Sequence, residues 1–363
     1  MSEHFSRDAD AVILVVNPGS TSTKIAVYRD ERPIMLRNIR HTVEELSGFK
    51  KITDQYEYRR TLVKNELEKM NVPFNFDAVI GRGGLGKPVA GGVYEINDRM
   101  LYDNIHAVRK HACNLGCLIA SDLAARIPGC RAFIADPSVV DELDDVARVS
   151  GSPLMPRTAV WHALNQRAIA RRYARETGTR YEDLDLIICH MGGGISVAAH
   201  RHGRAVDVNN ALDGEGPFSP ERAGTLPAAD LIRLCFSGRY SQEDLLKRIS
   251  GQAGLAILLG TTDVKDIIRR IHAGDRKADL VIEAMIYRTA KAIVAQGAVF
   301  CGKVDAILLT GGIAYSDYIV ERLRSRISFL APVHVYPGED EMQALALNAL
   351  AVLRGQRKLK VYE

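Results

Sequence analysis

The residues of this chain best able to do chemistry sit in four short turns. NPGSTSTK, Asn17 to Lys24, crowds Ser20, Thr21, Ser22 and Thr23 into the tip between two apolar runs. HMGGGIS, His190 to Ser196, repeats the arrangement with glycines in place of hydroxyls. Tight turns of this kind offer backbone amides and hydroxyls to an anion without needing a helix N-terminus. A phosphoryl group has several oxygens to satisfy, so a pair of such tips facing each other can clamp a β- and a γ-phosphate. LLTGGIAYSD, Leu308 to Asp317, sets adjacent glycines between a strand and a helix beginning near Ser316, where a base or ribose can come close to the backbone.

The fourth turn, GRGGLGKPVAGG from Gly81 to Gly92, imitates a Walker A loop as far as Lys87 and then places Pro88 where a magnesium-ligating hydroxyl belongs. Proline brings neither hydroxyl nor N–H, and VAGGVYEI reads as glycines followed by a strand, so no helix starts there to cradle phosphate. The P-loop reading fails on these grounds. Arg82 is left as the fixed charge inside a close-approach turn, either a substrate-binding arginine or a solvated one at a strand end.

These turns need elements to hold them. AVILVV and IAVYRD read as strands flanking the first tip, LDLIICH and ISVAAHRHG as strands flanking the second. Roughly 170 residues separate the two copies, which suggests a duplicated domain plan. FDAVIGRGG, RAFIADPS and VDAILLTGG are further strand-and-turn units. Helical periodicity is strongest in DRMLYDNIHAVRKHACNLGCLIASDLAARI, HALNQRAIARRYARE, DRKADLVIEAMIYRTAKAIVAQGAVF and EMQALALNALAVLRG. Strand and helix alternate, so the fold class is α/β. At 363 residues the chain exceeds the size of a single core, and two domains are expected, with hinges near SGSPLMPR and YPGEDE.

Composition excludes several classes. Hydrophobic residues at 47% and charged ones at 25% are globular values. The polar opening MSEHFSRDAD and the short run AVILVV give neither a signal peptide nor a membrane span, so a cytoplasmic protein without a membrane partner is expected. The net charge of +4 is dispersed, with only RGQRKLK locally basic, which points to an anionic small molecule and not to nucleic acid. Cys113, Cys117, Cys130, Cys189, Cys235 and Cys301 lack paired spacing, and Cys113 and Cys117, one helical turn apart, read as buried, reduced thiols in preference to a metal site.

Taken in order, NPGSTSTK, GRGGLGKPVAGG, IADPSVV, HALNQ, HMGGGIS, SPERAGTLP, LLTGGIA and GEDEMQALA resemble the acetate kinase family, within the superfamily of acetate and sugar kinases, Hsp70 and actin, and most closely its butyrate-using branch. The match runs from about residue 11 almost to the end. The resemblance implies a two-lobed actin-like ATPase fold of duplicated ribonuclease H-like domains with an interdomain nucleotide cleft. Residues 1–155 plus about 342–363 would form an acyl-substrate and phosphate lobe, and about 156–341 a nucleotide lobe. It implies Arg82, Asp136, His162 and Arg222 as catalytic residues and Asn17 as a substrate contact. Ser20, Thr21, Ser22, Lys24, His190, Gly192, Gly193 and Gly194 would face phosphates, and Asp263, Gly311, Gly312 and Ile313 the adenosine. Glu341, or Asp340 beside it, is implied near Mg2+, with Asp136 reaching the metal through water. Each has a plainer reading: Asp136 before Pro137 opening a turn, His162 packing beside Trp161, His190 ending a strand, Arg222 pairing with Glu221, and the acidic run complementing a helix dipole.

The activity implied is reversible, Mg-dependent phosphoryl transfer between ATP and a short carboxylic acid, in a homodimer or larger homo-oligomer. Acetate-specific relatives typically carry valine two positions after the arginine. Gly84 stands there in this chain, and the expectation is that it leaves room for a longer tail, each buried methylene being worth about 0.8 kcal/mol. Butyrate is the acid expected, with isobutyrate, propionate and acetate as alternatives. A non-catalytic ATP-binding protein of the Hsp70 kind would have no need of two arginines and would carry a peptide-binding domain for which the chain has no spare length.

Overall fold

The computed structural model describes residues 10–363; of the polar opening MSEHFSRDAD only Asp10 falls within it. The chain divides into two compact units, residues 1–140 with 340–363, and residues 141–339.

In the first unit, β1 (Val12–Pro18), β2 (Ser22–Arg29) and β3 (Arg32–Arg40) form an antiparallel meander. After α1 (Val43–Ser47) and α2 (Tyr56–Lys69) the chain enters β4 (Ala78–Arg82) and β5 (Val93–Glu95), then α3 (Asp98–Ile105), α4 (Leu115–Ala124) and β6 (Arg131–Ala135). The final helix Glu341–Leu353 and final strand Leu359–Lys360 return to this unit. Among the described residues the sheet has seven strands, ordered final strand, β5, β6, β4, β1, β2, β3. β1, β4 and β6 pair in parallel, and every residue of β1 from Ile13 to Pro18 is buried, as expected of a strand covered on both faces. β3 is one edge, and its arginines and Pro33 are the residues that discourage a further strand from adding there.

The second unit repeats this plan. Short α5 (Asp145–Arg148) and longer α6 (Ala163–Glu176) precede an antiparallel meander of β7 (Asp185–Met191), β8 (Ile195–Arg201) and β9 (Arg204–Val208). Four short helices follow, α7 (Ala228–Cys235), α8 (Gln242–Ile249), α9 (Gly254–Leu259) and α10 (Val264–His272). Then come α11 (Arg276–Gln296), β10 (Ala306–Gly311), α12 (Asp317–Ile327) and β11 (Val333–Pro337). The order β11, β10, β7, β8, β9 matches β6, β4, β1, β2, β3 of the first unit, strand for strand and direction for direction. Ile187, Val197, Ile286, Leu309 and Leu323 are among the residues that fill the core between sheet and helices.

Two sequence expectations change. The long helical stretch from Asp98 is two helices, because residues 106–114 leave the helix and His111 caps a short 3-10 turn through the Cys113 N–H (3.2 Å). Residues 141–155 pack with the second unit, where Asp144 N–H donates to the Val206 carbonyl (2.9 Å), while Asp340 and Glu341 fall in the first. Cys113 and Cys117 are buried as expected, as is Cys189, while Cys130 is half-buried and Cys235 and Cys301 are exposed. Among the described residues no helix is long and apolar enough to cross a membrane.

Candidate active site

In the first unit the candidates gather where β1, β4 and the final helix end together. Arg82 closes β4, and its guanidinium pairs with Glu341, the first residue of the final helix; both side chains are nearly buried. The Asn17 amide, at the end of β1, donates to the other Glu341 oxygen (2.8 Å). Glu341 therefore orients an arginine and an asparagine at once, and the helix N-terminus favours its negative charge. Cys113 lies within the reach of this pair, and burial pushes its thiol up to about 11.

Asp136 follows β6, wholly buried, with φ at +38°, a left-handed conformation that costs a non-glycine residue on the order of 1 kcal/mol. Its carboxylate accepts from the Gly92 N–H (2.8 Å), and its own N–H donates to the Gly92 carbonyl (2.9 Å), which ties β6 to the far end of the glycine-rich turn. The hydroxyl tip is closed by Gly19 N–H donating to the Ser22 carbonyl (2.7 Å). Ser20, Thr21 and Lys24 are exposed on it and Ser22 is half-buried.

The glycine-rich turn has glycines for a reason the sequence reading missed. A Cβ on Gly81 would stand 2.2 Å from the Gly116 carbonyl oxygen of α4, and one on Gly83 would stand 2.5 Å from Pro137. At Gly84 it would meet Asn104 Oδ1 at 2.2 Å and Asn114 Cα at 2.7 Å. The space beside Gly84 is thus filled by two asparagines of the same unit, so this glycine admits packing and does not leave a void for an acyl tail. Asn114 also accepts from the Leu85 N–H (2.8 Å), which fixes the turn. Lys87, the supposed P-loop lysine, lies over the Tyr362 ring, 4.8 Å from its centroid, and β5 follows in place of a helix.

In the second unit, His162 precedes α6 and its ring stacks on His190 at the end of β7, centroids 3.8 Å apart and planes 12° from parallel. Ser196 sets the protons of His162. Its hydroxyl oxygen accepts from the Gln166 side-chain amide (2.9 Å) and from the His162 backbone N–H (3.4 Å), so both lone pairs are used and its own proton goes to His162 Nδ1 at 2.9 Å. His162 then carries its proton on Nε2, as a donor. Behind Gln166 the chain continues: His200 Nε2 donates to Gln166 Oε1 (3.0 Å) and Tyr181 donates to His200 Nδ1 (2.7 Å). Burial, with Arg167 and Arg171 nearby, holds His200 well below its ordinary value, so it stays neutral and its single ring proton gives the chain one direction. His190 Nδ1 is bonded to Asn165 Oδ1 (2.8 Å), and its Nε2 lies 3.2 Å from Glu339 Oε1 without the alignment of a hydrogen bond.

The triple glycine is glycine because side chains lie across it. A Cβ on Gly193 would meet Glu221 Oε2 at 2.9 Å, and one on Gly194 would meet Arg222 Nη1 at 1.9 Å. Arg222 is held from its other side by donating to the Ala211 carbonyl (2.8 Å), and burial lowers its guanidinium without removing its charge at neutral pH. Gly311, at φ +91°, presses on Met191, with the β7 carbonyl oxygen 2.3 Å from where its Cβ would be, whereas nothing among the described residues lies within 4 Å of a Gly312 Cβ. Ile313 is buried below them. Asp263 is exposed and caps α10, accepting from the Lys265 and Asp266 N–H groups (2.9 and 3.2 Å). Arg82, Asn17 and Glu341 are thus in contact in one unit, and His162, His190, Gly192 to Gly194 and Arg222 are close together in the other. Among the described residues no contact draws Asp263 into either group. Ser196 and Gln166 had escaped notice, although Gln166 stands one turn along α6 from His162 and on the same face.

Among the described residues no group of three or more His, Cys, Asp or Glu side chains is arranged to hold a metal. Magnesium keeps most of its shell as water and phosphate oxygens and asks one or two carboxylates of a protein, so the acidic start of the final helix fits an ion that arrives with a nucleotide.

Comparison with known proteins identifies the family. A profile of the acetokinase family matches residues 157–335. A protein of Bacteroides thetaiotaomicron named as a probable butyrate kinase is 66% identical over 351 residues, 97% of this chain and 99% of its own. Butyrate kinase 2 of Clostridium acetobutylicum is 49% identical over 353 residues, 97% of this chain and 99% of its own. Among solved structures, Porphyromonas gingivalis acetate kinase superposes with a TM-score of 0.75 at 19% identity, covering 94% of this chain and all of that one. Entamoeba histolytica acetate kinase gives 0.73 at 16%, covering 92% and 98%. These two likenesses speak for the fold, the duplicated α/β plan of the actin-like ATPases. With two residues in three shared along nearly the whole of both chains, and with His162, the glycine tip, Arg222 and Gly311 inside the matched stretch, this chain belongs to the acetokinase family.

Proposed function

We propose that the chain catalyses reversible phosphoryl transfer between ATP and butyrate, giving butyryl phosphate and ADP. The observation that carries this is the end-to-end likeness to proteins named as butyrate kinases. The side chains suit the reaction. A carboxylate is already ionised at neutral pH, so it needs alignment and charge cancellation more than a base. Arg82, oriented by Glu341, meets the acid; Arg222 and the Nε2–H of His162 meet the oxygens of the transferring group, whose charge spreads outward in a loose transition state. Asn17 and the exposed tip Ser20, Thr21, Ser22 and Lys24 attend the phosphates on the first unit, and Gly192 to Gly194 with His190 attend them on the second. Gly311, Gly312, Ile313 and Asp263 take the adenosine in this reading. Asp136 holds the Gly92 end of the turn and would reach a metal only through water.

An Mg2+ ion arriving with ATP would neutralise phosphate charge, held by a carboxylate at the start of the final helix. Asp340 and Glu341 are the candidate ligands, and because both Glu341 oxygens are engaged by Arg82 and Asn17, Glu341 takes the ion only by releasing one of them. A cytoplasmic homodimer or larger homo-oligomer, without nucleic acid, belongs to the same reading. Exposed apolar side chains on the short helices, Ile232, Phe236, Leu246 and Ile257, support self-association. Purified protein incubated with Mg-ATP and a panel of short acids, with acyl phosphate trapped by hydroxylamine, tests the proposal. Butyrate should give the highest kcat/KM, and no hydroxamate from any acid would overturn it.

A further inference from the structure

The first-unit hairpin tip rests on a buried arginine that belongs to none of the motifs above. Arg59, on α2, is completely buried, and no carboxylate contacts it among the described residues. Its guanidinium is satisfied by neutral oxygens alone. Nη1 donates to the Gly19 carbonyl (2.8 Å), the Ser22 carbonyl (3.1 Å) and Thr23 Oγ1 (3.0 Å), and Nη2 to the Ser20 carbonyl (3.2 Å). Nε and Nη2 both donate to Gln55 Oε1, at 3.0 and 2.9 Å, which pins the fork to the start of its own helix. Burial lowers the group to about 10, so it remains a cation at neutral pH. A buried charge with no counter-ion is costly, and proteins seldom keep one without a use for it.

The peptide plane supplies the use. In a trans peptide the carbonyl of one residue and the N–H of the next point in opposite directions. With the Gly19 and Ser20 carbonyls turned inward onto Arg59, the N–H groups of Ser20 and Thr21 are turned outward, and neither donates to another group among the described residues. The result is two aligned amide dipoles with a fixed positive charge behind them, at a tip whose residues Ser20 and Thr21 are exposed.

We infer that Arg59 is a positioning residue for phosphoryl binding: it locks the Gly19–Thr21 peptides with their amides outward and leaves its own charge uncompensated until a polyphosphate arrives. This rests on the proposed reading that the tip faces the phosphates of ATP. Successive outward N–H groups are a recognised anion cradle, and a cation held at fixed distance acts without reorganisation when the charge shifts. Lysine cannot replace the fork, since it has three donors on a flexible stem where Arg59 uses five in a plane.

The test compares ligands that differ only in phosphate. In full-length protein carrying Arg59→Lys, the Kd for Mg-ADP and for a non-hydrolysable Mg-ATP analogue should rise about tenfold or more, while the Kd for adenosine stays within about twofold. Gln55→Met, which unpins the fork but leaves the charge, should move the same Kd values in the same direction by a smaller factor, and it serves if the lysine variant does not fold. Thermal melts verify folding of each variant. Unchanged Mg-ADP affinity in either folded variant, or an equal loss for adenosine, would overturn the inference. Failure of the functional reading looks different: wild-type protein itself would then form no acyl phosphate.

Discussion

Gly194→Ala separates the site from the fold. The added Cβ would stand 1.9 Å from Arg222 Nη1 and 2.5 Å from its Cζ, whereas ordinary contact begins near 3.5 Å. The guanidinium must therefore retreat by roughly 1.6 Å, or the tip must lift by as much. The first is the easier course, because the obstructing atoms are the end of a flexible side chain and Gly194 has no left-handed φ to preserve. The cost to folding is then bounded by the Arg222 bond to the Ala211 carbonyl, one charge-assisted hydrogen bond of about 1.5–3 kcal/mol. The cost to catalysis is larger. Removing one preorganised donor from a transition-state charge costs about 10²–10³ in kcat, and a displacement of about 1 Å is enough to do it.

The assay is a double-mutant cycle read as kcat with butyrate and Mg-ATP. Gly194→Ala and Arg222→Ala should each lower kcat at least about a hundredfold, and the double variant should fall within about threefold of Arg222→Ala alone, because the alanine acts only by evicting that arginine. Gly48→Ala, where nothing lies within 4 Å of the new Cβ, is the control for the substitution itself. If Gly194→Ala keeps its activity, or if its penalty is undiminished when Arg222 is absent, the close contact between them has no catalytic meaning and the argument fails.

Three further outcomes follow from the same geometry. Gly84→Val, colliding with Asn104 and Asn114, should lower the Tm and reduce kcat/KM for acetate and butyrate alike; a selective loss for butyrate would restore the idea that this position measures acid length. Arg82→Ala should abolish transfer while Lys87→Ala, which loses only a contact with the Tyr362 ring, should cost less than about threefold; equal loss in both would revive the P-loop. His200 is buried neutral with its pKa held well below 6.5, so the unfolded chain takes up a proton that the folded one refuses: stability should be intact above pH 6.5 and fall by up to about 1.4 kcal/mol per unit below it, a slope that His200→Gln should flatten in urea titrations.

Much of this was legible in the sequence because it depends on local pattern. Continuous apolar runs broken by glycine or hydroxyl residues mark the two hairpins wherever they fold, and Pro88 is enough to dismiss a P-loop. What was not legible depends on partners distant in the chain. Gly84 reads as an opening until one knows that Asn104 and Asn114 stand against it. Arg59 lies in YEYRRTLVKNELEK, a stretch polar enough to pass for a solvated helix. Its signal was spacing: Arg59, Val63 and Leu67 are the buried positions of α2, four residues apart, so the arginine lies on the apolar stripe. The break between α3 and α4 was hidden for the opposite reason, since residues 106–114 keep a helical periodicity that their backbone does not follow.

The two hairpin tips also explain why a duplicated plan carries two unlike sequences. At the first tip, carbonyls are bound from beneath by Arg59, which turns amides outward, and side-chain hydroxyls can then be added above without obstructing anything. At the second tip the supporting arginine and glutamate lie across the backbone itself, Arg222 over Gly194 and Glu221 over Gly193, and any side chain there would collide with them. Serine and threonine are thus permitted by support from below, and glycine is required by support from above. The same strand order has been fitted with a cation in each unit, in one case behind the backbone and in the other in front of it. A cation behind the peptides can act on a ligand only through the amides it aligns, so it suits the standing charge of bound phosphates. A cation in front can touch the group that moves, which is why Arg222 and not Arg59 is the residue whose loss should fall mainly on kcat.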